Sequence, residues 1–205
     1  MAVATLALHC VAGLALGYAL SRPRWIGRGF VDMMVTLPLV FPPVATGFLL
    51  LMLLGRRGPV GSWLAEHMDI EVVFSFWGVL LASTLSGLPL VVKPVQSALE
   101  TVSARLSEAA RVLGKSEAEI LVRVLLPNIR GSLLAGLALG LGRSLGEVGI
   151  TLMLGGNIAG RTTTVSLEIF NAVSGGEFER AALLSLMLGL VSLGLFALLR
   201  RLGAV

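Results

Sequence analysis

The chain has 205 residues, 56% of them hydrophobic and 14% charged, with a formal net charge of +4. Mean hydropathy is +0.91. A soluble domain carries nearer ~25% charged residues, and a chain this apolar lacks the polar sequence to clothe a water-facing surface, so a soluble enzyme or binding module is excluded.

The apolar residues fall into runs at 3–20, 34–54, 72–92, 131–154 and 181–199. Each is close to the ~20 residues that cross ~30 Å of hydrocarbon at ~1.5 Å per residue. The expected fold class is therefore all-α: a polytopic membrane protein with about five transmembrane helices, forming one transmembrane domain over 1–205. In the first run no Lys or Arg precedes Arg22. A signal peptide has its basic residues before the apolar core, so 3–20 reads as a retained helix. Cys10, the only cysteine, allows no internal disulfide and reads as a small apolar helix residue.

The second run opens Leu37-Pro38-Leu39-Val40-Phe41-Pro42-Pro43. Its prolines remove backbone donors and interrupt regular helix. At membrane depth such backbone is tolerated only when buried in protein or lining a cavity. The third run ends Ser86-Gly87-Leu88-Pro89, a predicted kink. In the fourth, Gly136/Gly140 and Gly142/Gly146 are spaced for close helix packing.

Between the third and fourth runs, about 100–130, lies an aqueous island. Val102, Leu106, Ala109, Ala110 and Leu113 recur at helical spacing. Gly114 suits the left-handed residue that ends a helix. Ser116 and Glu119 form a capping box for a second helix, whose apolar stripe is Ile120, Leu121, Val124 and Leu125. Pro127 is expected to mark the boundary before the fourth span. The product is a helix–turn–helix projecting from the membrane. The island also ends its first half in Gly114-Lys115-Ser116, like a phosphate-binding loop. Ala109 stands where that motif needs its first glycine, and the preceding segment reads as helix, so no ATP site is expected here.

Charge gives an orientation. With the island inside, Arg22, Arg24, Arg28, Lys93, Arg105, Arg111, Lys115, Arg123, Arg130, Arg200 and Arg201 lie on the inner side, against Arg56, Arg57, Arg161 and Arg180 outside. The positive-inside rule then places the N-terminus outside and the C-terminus in the cytoplasm. The pI near 10.2 reflects contact with the lipid of the inner leaflet and does not imply nucleic-acid binding.

Arg143 stands near the middle of the fourth run, one helical turn before Glu147. An intramembrane Arg costs at least ~2.5–3.5 kcal/mol and should face the protein interior with a partner. A neutralised structural pair is the simpler reading. The sharper one has Arg143, Ser144, Glu147 and Thr151 bordering a translocation pathway or gate. Gly155-Gly156-Asn157 and Arg161-Thr162-Thr163-Thr164 follow outside, where amides, hydroxyls and a guanidinium would suit a tetrahedral oxyanion; a capped external loop is the alternative. His9 and His67 are isolated, and no metal-ligand or nucleophile–base set is visible, so neither catalysis nor a metal site is expected.

Glu108-Ala109-Ala110-Arg111, then Gly114-Lys115, closed by Leu126-Pro127, resembles the cytoplasmic loop by which ABC importer permeases dock on their ATPase. The proline-rich stretch 37–43, Gly55-Arg56-Arg57-Gly58-Pro59-Val60-Gly61, Arg143-Ser144-Leu145-Gly146-Glu147-Val148-Gly149 and Gly155-Gly156-Asn157-Ile158 resemble, more specifically, the permease subunit of a molybdate/tungstate-type importer. The resemblance implies a type I importer fold in a prokaryotic inner membrane. It also implies a homodimer, two cytoplasmic ABC ATPase subunits that hold the ATP and Mg, and an external oxyanion-binding protein. This chain would carry no cofactor and would move the anion by alternating access. Molybdate is the expected anion, with tungstate or sulfate as alternatives. An autonomous secondary transporter or channel would explain the spans and Arg143–Glu147 but not the capped island. A membrane-embedded enzyme should show intramembrane His, Asp or Ser-Lys sets.

Overall fold

The computed structural model describes the backbone of residues 1–22 and 25–203, and the side chains there except those of 102–105, 107–109, 111, 202 and 203. Arg24 and the side chains of Arg105, Glu108, Ala109 and Arg111 lie outside the described residues. All regular elements among the described residues are helical.

The first span is α1 (Ala2–Ser21). The second is two helices, α2 (Arg28–Val40) and α3 (Pro43–Leu54), separated at Phe41-Pro42. Pro42 and Pro43 make this break: Phe41 is extended, and α3 restarts with Pro43 at a position where a missing N–H costs nothing. Pro38 stays inside α2. A short helix, α4 (Pro59–Met68), follows α3 outside the apolar run.

The third span begins later than the hydropathy suggests and runs much further, as α5 (Phe76–Val112, 37 residues). Ser75 sets its start: the Ser75 hydroxyl accepts the Trp77 N–H at 3.2 Å and donates to Val72 O at 2.7 Å. Pro89 and Pro94 lie within α5, so the segment 86–89 does not end the span.

After Gly114 come α6 (Glu117–Ile120), one π-helical turn (Leu121–Leu125) and α7 (Leu126–Leu145). These join into one apolar stretch, Glu117–Leu145. Pro127 was expected to mark a boundary; instead it lies in the first turn of α7, and the chain passes through it as helix. The widened turn before it makes this possible, since a π turn shifts the bonding register where proline supplies no N–H. Asn128 Nδ2 donates to Val124 O at 2.6 Å within the same turn.

The fourth run also divides. α7 stops at Leu145, and α8 (Gly149–Gly155) follows. α9 (Val165–Ser174) and α10 (Phe178–Gly203) complete the chain. Among the described residues four stretches are long and apolar enough to cross a membrane: Ala2–Ser21, Phe76–Thr101, Glu117–Leu145 and Phe178–Arg201, with α3 and α9 as shorter apolar helices.

α5 is central, packed against α1, α2, α7 and α8. The close approach of α1 depends on glycine: a Cβ on Gly13 would fall 2.5 Å from Val91 Cγ1, and one on Gly17 2.5 Å from Val95 Cγ1. Gly136 and Gly140 do the same between α7 and α5, as their spacing predicts; a Cβ on Gly140 would meet Val91 Cγ2 at 2.7 Å. The Gly142/Gly146 pair is different, for nothing lies within 4 Å of a Cβ at Gly142. Leu183, Leu186, Leu190 and Leu193 of α10 are exposed, as lipid-facing residues are.

Candidate functional site

The turn around Gly114 is built by two helical stretches that extend beyond the apolar core. α5 ends in a left-handed Gly114 (φ +73), and Lys115 N–H reaches back to Ala110 O at 3.1 Å. That bond closes the helix end in a Schellman motif. Ser116 then starts α6 with both halves of the capping box: Glu119 N–H donates to Ser116 Oγ at 3.3 Å, and Ser116 N–H donates to Glu119 Oε2 at 3.2 Å.

The turn is anchored from behind. Ala110, Ile120 and Leu125 are buried with Val95, Leu99 and Ile129, and Leu14 and Tyr18 of α1 pack against them. The stripe expected on the second helix is therefore its inner face. The stripe expected on the first helix is only partly inward: Ala110 is buried, whereas Leu106 and Leu113 are exposed, as are Val112 and Val122. These four apolar side chains, beside exposed Gly114 and Lys115, form an outward surface. Arg22, at the end of α1, pairs with Glu117 at the first position of α6, and its guanidinium lies 4.7 Å from the centre of the Tyr18 ring. Arg28–Glu100 at 3.0 Å and Lys93–Asp32 at 2.6 Å tie α2 to α5 at the same end.

The second candidate site is the break between α7 and α8. Arg143 Nη1 is 2.7 Å from Glu147 Oε2; the Arg143 side chain is 34% exposed and that of Glu147 1%. The other carboxylate oxygen, Oε1, accepts the Ile150 N–H at 2.9 Å. Glu147 thus neutralises Arg143 and satisfies an orphan donor at the start of α8 with one group. The end of α7 is closed from α9, where the Ser166 hydroxyl donates to Leu145 O.

The other residues expected beside Arg143 on a pathway do not converge on it. The Ser144 hydroxyl donates to Ser83 O on α5. Thr151 is fully buried, its hydroxyl unpartnered among the described residues. Asn157 takes a left-handed conformation (φ 50), and its Nδ2 donates to Asn171 Oδ1 on α9 at 2.7 Å. Thr162 closes the outer loop, its hydroxyl donating to Gly155 O at 2.7 Å and accepting Ile158 N–H at 2.8 Å. Arg143 and Glu147 are therefore the pair that the structure brings together; Ser144 and Asn157 join helices.

His9 was isolated in the sequence and is central in the fold. It is fully buried, with Nε2 donating to Thr84 O at 3.0 Å. Its ring occupies space left by glycines: a Cβ on Gly87 would lie 2.5 Å from His9 Cε1. Thr5, Ser83, Ser86 and Ser144 are buried as well, so a polar seam runs through the α1–α5–α7 contact. A polar residue at each of 5 and 9 on one turn-repeat of α1 was the available sequence signal. No group of three or more His, Cys, Asp or Glu side chains suited to a metal occurs among the described residues.

The molybdenum transport system permease protein ModB of Haemophilus influenzae is 34% identical over 197 residues, covering 94% of this chain and 86% of the relative. ModB of Escherichia coli is 35% identical over 185 residues, covering 88% and 81%. The sulfate transport system permease protein CysT of Escherichia coli is 35% identical over 189 residues, covering 92% and 68%. The family described as binding-protein-dependent transport system inner membrane component matches residues 11–204. Two capped helices meeting at a turn beyond the spans, an apolar helical bundle and these matches agree: the chain belongs to that family, the multi-pass inner-membrane permeases of ABC importers.

Proposed function

We propose that this permease carries an oxyanion, molybdate, inward as one half of a homodimer. Two cytoplasmic ATPase subunits bind and hydrolyse ATP with Mg, and an external binding protein delivers the anion. The chain itself catalyses no reaction and holds no cofactor. Its N-terminus faces outward and its C-terminus the cytoplasm. The observation that carries the reading is the coupling turn around Gly114, whose anchored inner face and exposed apolar outer face suit docking on a soluble partner. Similarity to the molybdenum permeases over most of the chain supports the anion.

ATP closure of the ATPase pair would move the turn, and α5 and α7 would carry that displacement as rigid bodies to the outer end. The Glu108, Ala109, Ala110, Arg111, Gly114, Lys115 and Pro127 segment is the coupling loop in this reading. Arg143, Ser144, Glu147, Thr151 and Asn157 hold the helices that gate the path. Sulfate is the second reading, supported by the equal similarity to sulfate permeases. Binding-protein-dependent uptake of labelled molybdate, challenged in turn with unlabelled tungstate and sulfate, decides the anion. Sulfate competing at concentrations equal to molybdate would transfer the assignment to sulfate. Orientation is tested in a Cys10→Ala background, where an impermeant thiol reagent added outside should label S174C and leave S116C unmodified.

A further inference from the structure

A cavity of about 620 Å³ opens at the end of the bundle opposite the Gly114 turn, between the C-terminus of α3, α4, the loop before α5 and the loop after α8. Its walls are mainly apolar, with Leu51, Leu54, Ile70 and Val73 among them. Four charged side chains also line it. Arg56 is matched with Glu71 at 2.7 Å. Arg57 and Arg161 are exposed, and neither side chain has a hydrogen-bond or ion-pair partner among the described residues. An apolar chamber carrying two unmatched cations fits an amphiphile with an anionic head better than a free oxyanion, which needs several donors and gains nothing from leucines.

Position supplies a second, independent observation. The chain has three tryptophans. Trp25 lies just after α1 at the opposite end; Trp63 on α4 and Trp77 on α5 stand two residues from the lining residues Gly61, Ala65 and Ser75 and are exposed, as are Phe74, which lines the cavity, and Phe76. Such aromatic belts mark headgroup level. The cavity therefore opens where lipid phosphates are. Its floor is held in shape by Phe74, whose left-handed backbone (φ 60) is fixed by its N–H donating to Leu154 O at 2.6 Å. The Phe74 ring covers Gly156, where a Cβ would meet Phe74 Cδ1 at 2.5 Å.

We propose that this cavity is a binding site for an anionic phospholipid, its acyl chain against the apolar wall and its phosphate between Arg57 and Arg161. The lipid would brace α4 and the loop after α8, the segments at the mouth of the pathway.

The test uses the full-length chain purified with its membrane complex and stripped of lipid. Binding of phosphatidylglycerol and of phosphatidylcholine is measured by native mass spectrometry and by the shift of the unfolding midpoint. Phosphatidylglycerol should bind more tightly. R57Q/R161Q should weaken it by about fivefold for each arginine, with phosphatidylcholine binding unchanged. Millimolar molybdate or inorganic phosphate should not displace it. On the unmodified chain, phosphatidylglycerol with a photoactivatable acyl chain should label residues 51–75. Undiminished binding by R57Q/R161Q, labelling confined to other helices, or displacement by molybdate would each overturn the proposal, the last assigning the cavity to the free oxyanion. Loss of binding-protein-stimulated ATP hydrolysis in R57Q/R161Q with lipid binding intact would also overturn it, assigning the arginines to protein docking.

Discussion

Arg22 and Glu117, 95 residues apart, join the end of α1 to the first turn of α6. Both side chains are partly exposed, so the pair adds at most about 1 kcal/mol to stability. Its consequence is positional: the Gly114 turn cannot swing without carrying α1 or breaking this pair. Arg22→Glu should leave membrane insertion and thermal stability nearly unchanged while reducing anion-stimulated ATP hydrolysis severalfold. Arg22→Glu/Glu117→Arg should restore part of the loss in a double-mutant cycle. Strictly additive losses would mean that the Arg22–Glu117 pair does not hold the turn to α1.

Gly114 separates backbone strain from crowding. Its φ is +73, yet a Cβ there would meet nothing within 4 Å. Conformation alone decides the outcome. Gly114→Asn, which tolerates the left-handed region, should retain ATPase docking. Gly114→Ala should cost about 1 kcal/mol, and Gly114→Val more. Co-purification of the ATPase with each variant measures this order. A Gly114→Val chain that docks as well as Gly114→Asn would contradict it.

At the α5–α7 contact the reverse holds. A Cβ on Gly87 would fall 2.2 Å from Gly140 O and 2.5 Å from His9 Cε1, so Gly87→Ala must part the helices. A loss of about 1–3 kcal/mol, or failure to assemble, is expected. Gly189→Ala on α10, with nothing within 4 Å, should be neutral. Unfolding midpoints in detergent compare the two. An equal, small effect of both would mean that the seam packs more loosely than described.

The Arg143–Glu147 pair should respond asymmetrically. Arg143 is 34% exposed and can find other polar partners if Glu147 is removed, whereas Glu147, 1% exposed, has none within reach of water. Arg143→Met leaves a buried carboxylate and should cost about 3–5 kcal/mol. Glu147→Gln keeps an acceptor for Ile150 N–H and should cost less. Arg143→Met/Glu147→Gln should recover most of the loss. Recovered folding without recovered uptake would place Arg143 on the anion path; recovered uptake leaves the pair structural.

Local chemistry was legible in the sequence. The capping box of Ser116 and Glu119 and the left-handed Gly114 depend on neighbours only a few residues away, and both form. The break at Phe41-Pro42 was legible for the same reason. Three features were not. His9 is fixed by Thr84, 75 residues distant, on another helix. The π turn at Leu121–Leu125 is a register shift, and it leaves Ile120 and Leu125 both buried in one cluster. The α7–α8 break falls inside the run 131–154; it is stabilised by a carboxylate that bonds Arg143 and the Ile150 N–H together, which spacing alone reads as an ordinary helical pair.

Docking through the Gly114 turn would make transport depend on a partner's ATP hydrolysis. Uptake of radiolabelled molybdate into proteoliposomes tests it, with the permease, the ATPase and the binding protein added or withheld in turn. Uptake should require all three proteins and ATP, and Gly114→Val should abolish it while the permease still inserts. Uptake by the permease alone, driven by an ion gradient without ATP, would contradict the account and assign the chain to a secondary transporter.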